Sequence, residues 1–473
     1  MGFGGEEFAF GSPAAAIAGM FARLGRRGLD AGAGFAGTRP PAETVALAES
    51  RGRVLAQDVH ADRDSPPFDH AAMDGYAVRA ADVLAAARRH AGTLTLRVGG
   101  ESRIGSAPPR FSSPQLSPPQ PAPHQYSSSD ATPLAIRIGT GAALPPGADT
   151  IIKREDVIEH AQGQPGAGSI TLAADGSLVE RLRPGDHVRR RGENAPRGAV
   201  VLRAGTVLNA AAMGTLAAVG VATPRVVPRL RVRVITTGDE VVEPDTAPRP
   251  FEIRNSNAPS LVGLLAARAW IDAKHAAHVR DEGGALLDAL RDALDTADAV
   301  VLTGGVSMGH RDPVRAGLEA AGASLVFHGL PQRPGKPMLG ATFTRADGSR
   351  VPVFGLPGNP ISALVTGTRI VVPVLAACAA ADLPLAQPHT PHQAATLVRL
   401  TNPDGKSLGL WWHRLVRLTE NGNAELVSGM GSGDMVAGGH SDGFVEVPPL
   451  ALATERGPAP EILPFYPWAG REG

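Results

Sequence analysis

Leu230–Glu240 reads LRVRVITTGDE, Ala299–Gly309 reads AVVLTGGVSMG and Val351–Pro360 reads VPVFGLPGNP. Each is a short apolar run that stops in glycine and small polar residues. Between them, Leu261, Leu264 and Leu265 share one helical face, and Leu286, Leu287, Leu290 and Leu294 another. Strand and helix therefore alternate, which implies parallel strands joined by crossover helices. The loops then lie together at the carboxyl edge of one sheet. Ligands of such sheets bind there, because helix N-termini point unpaired N–H groups outward and glycine admits a close approach. An anionic ligand is the first expectation.

At 473 residues the chain has length for roughly three domains. Acidic and basic residues balance at 46 each with no dominant basic run, which argues against nucleic-acid or acidic-membrane binding. Cys378 is the only cysteine, so no intrachain disulfide or cysteine metal cluster forms; its apolar helical run implies a buried, inert thiol. No run supplies the roughly 20 apolar residues of a membrane span. With the acidic start at Glu6 and Glu7, this reads as a cytoplasmic protein. Lysine occurs only at Lys153, Lys274, Lys336 and Lys406, so a lysine in a candidate loop is notable.

Along the chain, Ala14–Leu24 has the pattern of a short amphipathic helix, followed by a Gly/Ala-rich link. That link holds Gly32, Gly34 and Gly37 in GxGxxG spacing, but no strand precedes them, so it is no dinucleotide fingerprint. Glu43–Ser50 suits a helix and Arg53–Val59 a strand. Asp69 and Asp74 stand in the turn-rich stretch FDHAAMDGYAV, either as turn formers or as acids serving a metal or a proton transfer. Ser102–Thr132 is Pro/Ser-rich with few large apolar residues, the composition of a disordered insertion. Ala395–Pro448 has an all-β pattern with a turn at Asn421-Gly422, and His389 and His392 lack a third metal ligand nearby.

Gly305-Val306-Ser307-Met308-Gly309 satisfies GxSxG, but a nucleophile elbow starts its helix directly after the serine. Here Asp312 and Pro313 look like N-cap and N1 of a later helix, which leaves Ser307 to hydrogen bond an oxyanion. Arg333-Pro334-Gly335-Lys336-Pro337 lacks Walker spacing yet presents two cations on a constrained turn, an anion clamp or a solvated turn. Asn359 and Pro360 read as N-cap and N1, with Gly358 near a ligand. Asp239 and Glu240 at a strand end either hold Mg²⁺, accept from a heterocycle or cap the turn.

Taken together, TTGDE (Thr236–Glu240), RNSN (Arg254–Asn257), TGGVSMG (Thr303–Gly309), RPGKP (Arg333–Pro337) and LPGNPISA (Leu356–Ala363) resemble the molybdopterin molybdenumtransferase (MoeA) family, which includes the gephyrin E domain. FDHAAMDGYAV and RRRGE (Arg189–Glu193) resemble it too. The resemblance implies a multidomain α/β plus β chain: a three-layer α/β molybdopterin-binding domain with a mostly parallel sheet (226–384), an elongated two-segment domain (40–60 and 183–225), an inserted β-rich domain (61–182) and a C-terminal β-barrel (385–473). Residues 1–39 would form a helix and flexible link ahead of them.

The resemblance also implies that adenylylated molybdopterin and molybdate give molybdenum cofactor and AMP with Mg²⁺. It carries catalytic roles to Asp74, Asp239, Asp281 and Lys336, with Asp239 and Asp281 on the metal. Substrate binding would fall to Thr140, Thr303, Gly304, Gly305 and Ser307. Arg333, Gly335, Pro357, Gly358, Asn359 and Pro360 would complete it. Molybdate would meet Ser307, Lys336, Arg414 and Ser432. Gly329, Asn194 and Ala212 stand where relatives often have a lysine or acids. The implied partners are a second copy in a homodimer with composite sites, the adenylyltransferase upstream, and molybdoenzymes or their chaperones downstream. A gephyrin-like scaffold without catalysis and a serine hydrolase using Ser307 are the alternatives.

Overall fold

The computed structural model of the chain describes residues 8–25, 41–89, 93–111, 132–161, 167–172, 181–280, 284–306, 312–380, 396–450 and 462–468. Two compact units emerge: Val59–Val201, and the residues up to Asp58 together with Leu202–Gly473.

The larger unit opens with α1 (Pro13–Arg23), started by Ser12, whose side chain accepts from Ala15 N, and by proline at N1. Ala16, Ile17, Met20 and Phe21 then go into the same core as the central strands, so this helix is part of the α/β body. Where the sequence suited a helix at Glu43–Ser50, the chain has a two-residue strand, Glu43–Thr44, paired with Arg225–Val226, and one 3₁₀ turn at Leu47–Glu49. A distant strand overrides local propensity there.

The central elements follow as β1 (Leu230–Thr237), α2 (Asn257–Ala266), β2 (Ile271–Val279), α3 (Ala285–Thr296), β3 (Ala299–Thr303), α4 (Pro313–Ala320), β4 (Ser324–His328), β5 (Leu339–Thr344), β6 (Arg350–Leu356) and α5 (Pro360–Cys378). The sheet order is β2-β1-β3-β6-β5-β4, with the first four strands parallel and the last two antiparallel. Two apolar cores flank it, one under α1, α2 and α5 and the other under α3 and α4. Among the described residues α5 is the one helix apolar and long enough to cross a membrane, and most of it is buried inside this body. Cys378 near its end is half-buried, less enclosed than its apolar surroundings imply.

Five strands close a barrel: β7 (Thr396–Leu400), β8 (Trp411–Leu418), β9 (Asn423–Leu426), β10 (Gly443–Val447) and β11 (Ile462–Pro467). Asn421 and Gly422 both take positive φ, 63° and 73°, at the β8–β9 turn. The all-β reading stops short at Pro448, since the barrel needs β11 to close, and a short helix, α6 (Met435–Gly439), interrupts it.

The smaller unit is a curled six-stranded sheet in the order Thr150–Lys153, Gly75–Val78, Leu134–Ile138, Leu94–Ser102, Ala167–Leu172, Val157–Ala161. The expected disorder from Ser102 needs correction at its start. Ser102 ends a strand, and Phe111 is buried beside Ile136 and Ile138 with the Arg79 guanidinium 5.8 Å over its ring. One aromatic anchors a stretch whose average composition argued against packing. Residues 112–131, the GxGxxG glycines, His389 and His392 lie outside the described residues.

Candidate functional site

At the carboxyl edge of the central sheet, β1, β3 and β6 bring their loops together as the alternation implies. Thr303 ends β3 fully buried; its hydroxyl donates to Pro357 O at 3.0 Å and accepts from Asn257 Nδ2 at 3.0 Å. The same Asn257 nitrogen donates to Gly358 O at 2.7 Å. One amide at the start of α2 therefore ties the TGG and LPGNP loops. Asn257 Oδ1 and Thr237 Oγ1 are buried and find no hydrogen-bond partner among the described residues. Unmatched polar atoms at the ligand edge of a parallel sheet are what a donor-rich heterocycle satisfies. Gly304 is obligatory: its φ is +91°, and a Cβ would sit 2.3 Å from Thr237 O.

Behind this cradle, Asn255, two residues ahead of α2, accepts from Ala258 N in its first turn, and its Nδ2 donates to Thr236 Oγ1. Thr236 meets His275 Nε2 at 3.2 Å and His278 Nδ1 at 3.0 Å. Asp239 and Glu240 project exposed beyond β1. Asp312 is the N-cap of α4, accepting from Arg315 N, with proline at N1, so this helix starts well after the serine. Ser307 itself and Asp281 lie outside the described residues.

Beside the cradle opens a cavity of about 1130 Å³. Arg333, Gly335 and Lys336 line it together with Pro357 and Asn359 of the LPGNP loop and Arg414 and Ser432 of the barrel. Seven of the sequence-derived positions thus meet in one space. Gln332–Arg333 pairs with Trp411–Trp412 of β8, which fixes the RPGKP turn to the barrel by main-chain bonds. Gly335 has φ +95° and no room for a side chain, with Thr366 Cγ2 at 2.4 Å from where a Cβ would lie. Asn359 starts α5 but its side chain makes no capping bond, so capping alone does not explain it. Pro360 is N1 of that helix, and Ile361 N donates to Ser432 O at 3.0 Å.

Two of the cavity cations stand against aromatic faces. Lys336 Nζ is 5.7 Å from the Phe8 ring centre, and the Arg414 guanidinium is 4.2 Å from that of Trp412. Phe8 arrives because Phe10 packs edge-on against Phe327 and Trp411 Nε1 donates to Gly11 O, just ahead of α1. Arg414 is also gripped by Asp404, and that pair of bonds first of all holds the Asp404 carboxyl well below the usual carboxylate range. Phe8, Asp404 and Trp412 were not singled out by sequence. Lysine scarcity pointed to Lys336, but nothing local marks its aromatic neighbour.

In the smaller unit Asp74 and Thr140 do meet. Asp74 Oδ1 accepts from Thr140 N at 2.7 Å and from its hydroxyl at 2.8 Å, which holds the carboxyl below its ordinary value. Asp69 instead pairs with Arg190 and accepts from Arg191 N, a structural tie within the RRRGE turn.

Residues 21–220 match the MoeA N-terminal region (domains I and II), and 233–377 match a probable molybdopterin binding domain. The molybdopterin molybdenumtransferase of Synechococcus elongatus is 34% identical over 339 residues, 71% of this chain and 75% of its own. The chain belongs to the molybdopterin molybdenumtransferase family. Molybdopterin molybdenumtransferase 2 of Mycobacterium tuberculosis is 34% identical over 371 residues, 77% of this chain and 81% of its own. The family fold recurs in a crystal structure of the molybdopterin biosynthesis moeA protein from Pyrococcus horikoshii, with a TM-score of 0.68 at 24% identity, covering 97% of this chain and all of that one. A second crystal structure, of a molybdopterin biosynthesis moea protein from Pyrococcus horikosii, gives a TM-score of 0.62 at 27% identity over 91% of this chain and 95% of that one.

Proposed function

We propose that this chain inserts molybdenum from molybdate into the dithiolene of adenylylated molybdopterin, releasing AMP and molybdenum cofactor. The observation that carries this is the one cavity lined by Arg333, Lys336 and Arg414 together with Pro357 and Asn359 of the LPGNP loop. A tetrahedral dianion is held by several cations in one space, and the adjoining cradle offers Asn257 Oδ1, Thr237 Oγ1 and the Gly304 backbone to a planar, donor-rich ring.

Asp239 and Glu240 at the sheet edge fit Mg²⁺, which is ordinarily held by one or two carboxylates plus substrate phosphates rather than by a protein cage. When bound, the ion would neutralise phosphate charge. Asp239 and Asp281 are the proposed ligands, and Ser307 a hydrogen-bonding contact to substrate.

Two further parts of the reading are a cytoplasmic location and a homodimer, in which Asp74 and Thr140 of one subunit serve the cavity of the other. The symmetry of such a dimer closes two equivalent sites. The test is AMP release from adenylylated molybdopterin with and without molybdate. Molybdate-dependent release that falls at least about tenfold in Asp239→Asn, with folding intact, supports the reading; release that ignores molybdate sinks it.

A further inference from the structure

Arg414 faces the cavity with both terminal nitrogens engaged. Nη1 lies 2.6 Å from Asp404 Oδ1 and Nη2 2.8 Å from Asp404 Oδ2. This two-bond match of guanidinium and carboxylate is the geometry by which arginine takes oxyanions. Asp404 stands outside the barrel frame, on the loop between β7 and β8, and it lines the same cavity as its neighbours Asn402 and Lys406. The loop has a fixed root, where Thr401 N donates to Ala424 O and Asn402 Oδ1 accepts from Leu426 N. It turns at Gly405, φ +67°.

We propose that Asp404 is a specificity-determining residue, an internal stand-in for the oxyanion substrate that holds the Arg414 fork until a tetrahedral dianion displaces it. The proposal rests on the reading of this cavity as the molybdate site. Three features fit a displaceable occupant. The Asp404 side chain keeps 31% of its surface exposed while Arg414 keeps 16%, so the carboxylate sits on the solvent side of the pair. Lys406 Nζ is 3.7 Å from Oδ2, so a displaced carboxylate still has a cation beside it. The carboxyl is held strongly toward its ionised form, so the fork is released by competition and not by protonation at ordinary pH.

Selectivity follows from charge. Asp404 brings one negative charge and two oxygens on a tether, so a dilute monoanion has little advantage over it. A dianion gains more from Arg414, and from Lys336 and Arg333, which line the same cavity. If Asp404 fills the fork about ten times in eleven, the apparent Kd of the substrate anion is raised about elevenfold.

The experiment is calorimetric titration of the full chain with sodium molybdate, sodium sulfate and sodium nitrate, using wild type, Asp404→Asn and Asp404→Ser, with melting temperatures as a folding check. The expected result is molybdate binding about tenfold tighter in both variants, a narrower preference for dianions over nitrate, and loss of the gain when Arg414→Gln is added. Where wild type binds molybdate, an affinity that is unchanged or weaker in whichever variant folds overturns the proposal, since Asp404 is then a loop staple. The two readings separate cleanly. Wild type that binds molybdate with no gain in the variants keeps the molybdate site and removes the stand-in. Variants that gain sulfate through Arg414 while neither they nor wild type bind molybdate keep the stand-in and remove the molybdate site.

Discussion

Replacing Glu446 by glutamine should destabilise the larger unit by about 3–5 kcal/mol, the cost of leaving a buried cation without its counter-charge. Glu446 on β10 takes Arg369 Nε at 2.7 Å and Nη2 at 3.2 Å, and His413 Nε2 of β8 at 3.0 Å. All three side chains are nearly shut off from water, and the Tyr466 ring lies 5.0 Å from the guanidinium. Arg369 points there from a π-helical turn, Gly367–Val371, inside α5. Burial pushes the Glu446 carboxyl up, but the Arg369 charge and then the His413 bond outweigh it and hold the group down from 4.5 to about 2. A difference of that size corresponds to about 3 kcal/mol by linkage, in line with the first figure. Thermal unfolding at pH 7 should show a loss of roughly 6–20 °C. Because the folded value is depressed, the wild-type advantage is complete above about 4.5 and fades as pH falls toward about 2. Arg369→Met with Glu446→Leu should be more stable than either single change, since no charge is then stranded. A Glu446→Gln protein melting within about 2 °C of wild type, or a double variant worse than both singles, would refute the reasoning.

Phe8→Ala should raise the KM for molybdate by roughly two- to fivefold with little change in Tm, because the ring keeps water from one side of Lys336; an unchanged KM means the contact is incidental. For the shared site, Asp74→Asn and Lys336→Ala homodimers should both be impaired. The mixed dimer, purified through two tags, should regain about half of wild-type AMP release; recovery no better than either parent places both residues in one chain. Deleting Ser113–Ser129 should leave activity and melting intact, whereas a deletion starting at Ser106 also removes buried Phe111 and costs on the order of 3 kcal/mol; equal melting of the two proteins would count against the anchor.

The central sheet was legible because its signals are local. Apolar runs of strand length, helical leucine spacing and glycine at each turn all sit within a few residues of what they determine, and Asp312-Pro313 and Asn421-Gly422 announced their turns in the same way. The clamp was half legible: RPGKP and Arg414 were marked as cationic, but their meeting depends on a barrel strand almost 80 residues away. Nothing near Arg369 points to Glu446, 77 residues later, and nothing near Lys336 points to Phe8. Composition averages failed where one residue decides, as at Phe111, and propensity failed at Glu43–Thr44, where the partner strand lies beyond 220.

The pairing of Gln332–Arg333 with Trp411–Trp412 also constrains how such a chain can be recombined. The seam makes the first edge strand of the barrel a property of the α/β body, and the two are not separable modules. A chimera that imports a barrel from a relative at the link before Thr396 inherits its own β8 but must accept this chain's Arg333 in register with it. A slip of one residue along the seam moves Arg333 by about 3.3 Å relative to Arg414. Spacing between these two cations is therefore inherited with the junction, and grafts should be cut so that residues 332–333 and 411–412 travel together.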